Sequence, residues 1–151
     1  MKKLFFLLII CLFSLASFAQ KTEIQYLSGT DKDHTVNWDF YCTKGRNSGQ
    51  WSAIKVPGHW EFQGFGAFNY GQKEKVYNDE KGLYKYQFSL PKEWRQKTIN
   101  LVFEGSMTDT EVKINGKSAG ITHQGAFYRF KYDVTGLLIF WRQESPGSGR
   151  Q

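Results

Sequence analysis

Three histidines, several acidic side chains and one internal thiol are the groups through which this chain could do acid–base, metal or nucleophilic chemistry. His34, His59 and His123 are scattered, and no HExxH or His-x-His pair occurs. Asp31-Lys32-Asp33 is too short a run to supply the oxygens of a calcium loop. Asp109 and Glu111 lie two residues apart, on one strand face beside Val112, and read as solvent-side charges. Glu104 closes a strand-like run and reads as structural. No Ser-His-Asp or Cys-His set is recognisable, and Cys42, which follows Tyr41 in a strand-like run, reads as a packed small apolar residue. The sequence therefore assigns no catalytic residue, no metal site and no cofactor. What remains is aromatic. Residues 57–82 carry Trp60, Phe62, Phe65, Phe68, Tyr70 and Tyr77 among Pro57, Gly58, Gly64, Gly66, Gly71 and Gly82. A long loop of this kind is either a binding segment or a self-packed Ω-loop that covers one end of the fold.

The elements that must position these side chains are strands. With 5 Trp, 8 Tyr and 13 Phe, the chain is loaded with residues that favour strands over helices. No stretch sustains an apolar i, i+3, i+4, i+7 stripe over three turns. Period-two alternation marks Leu83 to Leu90, with Tyr84, Tyr86 and Phe88 on one face. It marks Ile99, Leu101 and Phe103, then Val112 and Ile114, then Tyr128, Phe130 and Tyr132 opposite Arg129 and Lys131. Asn115-Gly116 predicts a tight hairpin, because both residues tolerate positive φ. Leu90-Pro91 ends a strand, since proline cannot donate to a ladder. The pattern predicts an all-β, antiparallel sandwich or barrel.

Residues 1–19 predict a cleaved signal peptide. Lys2 and Lys3 precede the apolar run Leu4–Leu15, and Ser17 and Ala19 stand at −3 and −1. Cys11 is not read as a lipoprotein cysteine, because Ile10 precedes it and the apolar stretch continues past it. Cleavage removes Lys2 and Lys3, lowers the formal net charge from +6 to +4 and leaves Cys42 as the one cysteine. A disulfide framework and a cysteine zinc site are thereby excluded, and the apolar run is too short to span a bilayer. Export to the periplasm or the exterior is expected, with no membrane attachment after cleavage. Acids and bases are interleaved at Asp31-Lys32-Asp33, Lys73-Glu74-Lys75 and Asp79-Glu80-Lys81, an ordinary solvated surface rather than a nucleic-acid footprint.

Three stretches taken together resemble the N-terminal domain of glycoside hydrolase family 2, the β-galactosidase and β-glucuronidase family. The first runs from Trp51 through Val56-Pro57-Gly58-His59-Trp60 to Gly64 and Gly66. The second is Gly82-Leu83-Tyr84 to Phe88, with Leu90-Pro91 and Trp94. The third joins Phe103-Glu104-Gly105, Thr110–Lys117, Gly120 and Phe130–Thr135. The resemblance covers about Trp38 to Leu138. It implies an antiparallel jelly-roll sandwich of the galactose-binding-like type over residues 20–138, with the last strand or strands incomplete. It also implies that residues 139–151, polar and rich in Gly, Ser and Arg after Trp141, form an aberrant or disordered tail, as a frameshift after Leu138 would produce. A natural short protein is the other reading of that tail.

In the family this domain precedes an immunoglobulin-like sandwich and a barrel, and the barrel carries the two catalytic glutamates of a retaining glycosidase. The resemblance thus implies a non-catalytic fragment whose parent cleaves β-linked galactose or a related sugar, with a glycan and the parent's remaining domains as partners. A loop of the family's N-terminal domain lends an Asn to the bound sugar. Aligning on Trp60, Gly64 and Tyr70 puts Gln72 there, one methylene longer with the same amide donor and acceptor. Tyr70 and Gln72 are the implied sugar-facing residues. Trp60 either stacks on a sugar or packs as core, and Trp38 and Trp51 read as core or sheet-face. A free-standing carbohydrate-binding module is the alternative function, and a structural sandwich that docks other domains a third.

Overall fold

The computed structural model describes residues 21–67 and 79–140. They are all-β with short 3-10 turns and no α-helix, and every paired strand is antiparallel. The chain divides into two compact units, Met1–Gln87 and Phe88–Gln151.

In the first unit β1 (Val36–Cys42) lies between β2 (Trp51–Val56) and β3 (Gly82–Lys85). Trp38↔Ile54 and Phe40↔Ser52 fix one register, Phe40↔Tyr84 and Cys42↔Gly82 the other. Alternation then assigns the faces. Trp38, Phe40 and Cys42 turn to the core and Asn37, Asp39 and Tyr41 turn away. Phe40 and Cys42 are fully buried and Ile54 and Phe65 are buried beside them, and Trp38, Val56 and Trp60 pack around this cluster. Phe40 is the hub, with ring centroids 4.9 Å from Phe65, 4.7 Å from Tyr84 and 5.6 Å from Trp60. The Trp38 indole N–H donates to Leu27 O at 2.9 Å and ties the preceding segment to the sheet.

β3 is shorter than the expected Leu83–Leu90 strand. Its ladder with β1 stops at Lys85, although Tyr86 still stacks on Trp38 at 4.9 Å. The side-chain alternation outlasts the backbone pairing because ring packing maintains it.

In the second unit β4 (Asn100–Phe103) pairs with β7 (Phe130–Asp133), as Leu101↔Tyr132 and Phe103↔Phe130. The ladder is extended at one end, where Val134 N–H donates to Ile99 O and Thr135 Oγ1 accepts the Ile99 N–H, both at 2.9 Å. Between them β5 (Lys113–Ile114) and β6 (Lys117–Ser118) form the expected hairpin. Asn115 and Gly116 turn it at φ 51° and 78°, the positive angles an Asn-Gly turn requires. Ile114 and Val134 are buried. Asp109 and Glu111 are exposed, as expected of solvent-side charges, but the expected shared strand face is corrected here. Asp109 sits at φ 61°, outside strand geometry, and only an isolated Thr110↔His123 bridge adjoins it. Its carboxylate accepts from Gln124 Nε2 at 3.2 Å instead of lying along a strand face.

Candidate functional site

The aromatic loop is built on a stitched base. After β1 the chain turns through residues 43–50, and after β2 it turns through 57–67. Arg46 and Gly66 exchange backbone hydrogen bonds at 3.1 and 3.0 Å, and Arg46 Nε also donates to Gly66 O at 3.0 Å. Asn47 Nδ2 reaches Gly64 O at 2.9 Å and Arg46 Nη2 reaches Glu61 O at 3.2 Å. Gly66 O and Glu61 O each also accept a backbone N–H, so the Arg46 guanidinium adds a second donor to both, and Asn47 supplies the donor for Gly64 O.

Glu80 closes this base. Its carboxylate accepts the Ala67 N–H at 3.1 Å (Oε1) and 3.3 Å (Oε2), and the Cys42 thiol lies 3.6 Å from Oε1. Gly66, at φ 66°, leaves the carboxylate its seat, since a Cβ there would stand 2.6 Å from Oε1. Cys42 donates to Lys44 O at 2.9 Å. Burial, first among the causes, pushes its thiol up from the ordinary value, which keeps it protonated and able to donate. One residue further, Asp79 pairs with Lys44, which holds its carboxyl below the usual range. Ala67 and Asp79 are the described residues that flank positions 68–78; Glu80 ties the far side of that segment to its near side, and Asp79 ties it to the turn after β1.

The three sugar-facing candidates fall as follows. Tyr70 and Gln72 lie outside the described residues. Trp60 packs on the core beside Phe40, and a Cβ at Gly82 would stand 1.9 Å from its ring. The histidines each have a local setting. His34 Nδ1 meets Asp31 at 2.9 Å, His59 sits edge-on to Phe62, and His123 stacks on Phe130 at 3.6 Å. Among the described residues no group of three or more His, Cys, Asp or Glu is arranged to hold a metal ion. Trp51 lies on the outward sheet face, with Lys85 Nζ 3.9 Å from its ring centroid. Glu104 forms an exposed pair with Arg129 at 2.7 Å.

Reading the sequence alone missed Glu80, Arg46 and Asn47. Arg46 and Asn47 lie between Gly45 and Gly49, which was the one available signal, and Glu80 carried none.

An all-β fold of antiparallel strands defines the class of β-sandwich domains. Residues 65–145, more than half of the chain, match the family model for the glycosyl hydrolase 2 galactose-binding domain-like domain, and the chain belongs to that family. Among its relatives is a β-glucuronidase of Bacteroides fragilis, 28% identical over 91% of this chain and 18% of its own length. The β-galactosidase BoGH2A of Bacteroides ovatus is 29% identical over 70% of this chain and 13% of its own. A β-galactosidase of Psychromonas ingrahamii is 26% identical over 56% and 8%. The chain thus spans less than a fifth of the length of these curated relatives.

Proposed function

We propose that this chain serves as the carbohydrate-recognition domain of an exported family 2 glycosidase acting on β-linked galactose, glucuronic acid or a related sugar. In that role Tyr70 and Gln72 contact the glycan, and the bond between Glu80 and Ala67 ties together the chain on either side of positions 68–78. The observation that carries the reading is the family match across residues 65–145, which takes in that whole segment and its Glu80 stem. On this reading hydrolysis belongs to the parent enzyme's barrel, the domain alone cleaves nothing, and its other contacts are to the parent's remaining domains. The basic, apolar and small-residue sequence of positions 1–19 supports export to the periplasm or the exterior, with the mature domain free of the membrane.

The test is hydrolysis of p-nitrophenyl β-glucuronide and β-galactoside by the chain alone and by the product of any reading frame that continues past codon 138. The expected result is no turnover by the chain and turnover by the longer product, with Gln72→Ala in that product raising KM more than it lowers kcat. Sugar affinity in the chain, with no barrel encoded downstream, would instead establish a free-standing carbohydrate-binding module.

A further inference from the structure

The outer edge of β2 carries a side chain where a neighbouring strand would otherwise lie. Among the described residues β2 is an edge strand. Lys55 N–H donates to Gln63 Oε1 at 2.8 Å, and Gln63 Nε2 donates to Lys55 O at 2.9 Å. A primary amide offers the donor and acceptor of a peptide group, so Gln63 takes the position of one residue of an added strand. The seat is shaped for it. A Cβ at Gly58 would stand 2.8 Å from Gln63 Nε2, and His59 O lies 3.5 Å from the same nitrogen. Pro57 follows directly and has no N–H to offer. The amide therefore occupies the last point of this edge at which a strand can attach. By the two-residue period, Ala53 turns its backbone groups the same way as Lys55, and no hydrogen bond from the described residues reaches them.

We propose that the outer edge of β2 is a strand-pairing surface for β2 of a second copy of this chain, and that Gln63 keeps it closed. The strand is complementary to itself. Antiparallel pairing centred on Ala53 sets Lys55 of one copy opposite Trp51 of the other, on one face. A cation beside an indole is a favourable cross-strand pair, and the Trp51 ring already accepts Lys85 in this way within the chain. With Gln63 in place, Lys55 has no free peptide group for a partner, and an edge shortened in this way resists strand addition.

The test uses the full chain in sedimentation velocity across a concentration series, with amide exchange read at Lys55. The wild type is expected to stay monomeric with a protected Lys55 amide. In Gln63→Ala the Lys55 amide should exchange about tenfold faster in dilute solution, and the chain should dimerise as concentration rises. Adding Ala53→Pro removes an outward N–H without touching the β1 ladder and should restore the monomer. Should Gln63→Ala not fold, Gln63→Asn, one methylene too short to make both bonds, gives the same readouts. A Gln63 variant that stays monomeric at every concentration, a dimer indifferent to Ala53→Pro, or an unchanged Lys55 amide overturns the proposal.

Discussion

Glu80 accepts the Ala67 N–H with both carboxylate oxygens, at 3.1 and 3.3 Å, and so links two residues that flank segment 68–78. The contact spans 13 positions of sequence and makes the loop a closed stem. A carboxylate is well suited to this, since a hydrogen bond to a charged acceptor is about twice as strong as a neutral one. Glu80→Ala is expected to lower stability by about 1–3 kcal/mol, because it leaves the Ala67 N–H without its acceptor. Glu80→Gln, which keeps one acceptor oxygen, should lose less. Urea denaturation of both variants checks the order.

Gly82 is where β3 passes under Trp60. A methyl group at this position would stand 1.9 Å from the indole and 2.8 Å from the Phe40 ring. Neither ring can yield without opening the centre of the first unit's core. Gly82→Ala is expected to cost about 1–3 kcal/mol by overpacking, and Trp60→Ala about 3–5 kcal/mol at most, since Trp60 is only partly buried. A thermal melt in which Gly82→Ala equals the wild type would place Trp60 elsewhere.

Alkaline pH should weaken the first unit. Burial pushes the Tyr84 hydroxyl up from 10.0 to about 12, with Glu61 and Cys42 adding to the effect. The unfolded chain releases this proton near 10 and the folded chain near 12. The contribution is therefore complete below pH 10 and is lost as pH rises towards 12. The buried Cys42 thiol, raised above 9.0, acts in the same direction. Because 43% of the Tyr84 surface stays exposed, its share should be modest. Urea midpoints taken between pH 9 and pH 12 should fall for the wild type and fall less for Tyr84→Phe.

The second unit depends on its hairpin. Gly116, at φ 78°, cannot take a side chain without strain, and Gly116→Ala should cost about 1–2 kcal/mol. Asn115 adds a bond from Nδ2 to Leu137 O at 2.8 Å, so Asn115→Gly, which suits the turn, should still destabilise. A variant of Asn115 as stable as the wild type would show that the bond to Leu137 contributes nothing.

The strands were legible where alternation and turn chemistry coincide. Leu101 and Phe103 pair with Tyr132 and Phe130 as their period indicates, and Asn115-Gly116 turns the hairpin. The end of β3 was not legible, since Tyr86 keeps its face by stacking on Trp38 after the ladder has ended. Asp109 is the solvent-side charge its neighbours indicate, but its departure from the strand is a backbone angle, which those neighbours do not betray. Glu80 and Gln63 were invisible for another reason. Each is a single polar residue bonded to a backbone group 13 or 8 positions away, and such a bond leaves no periodic trace. Trp60 was legible as either a sugar-stacking or a core aromatic, and the structure sets its ring on the core beside Phe40 and Gly82.

The most direct measurement of the account is a calorimetric titration of the chain with methyl β-galactoside and methyl β-glucuronide, repeated on Tyr70→Ala, Gln72→Ala and Glu80→Gln. The account expects saturable binding of at least one sugar, at least tenfold weaker in the Tyr70 and Gln72 variants and measurably weaker when the Glu80 stem is altered. No binding to either sugar, or binding that all three substitutions leave unchanged, would contradict it.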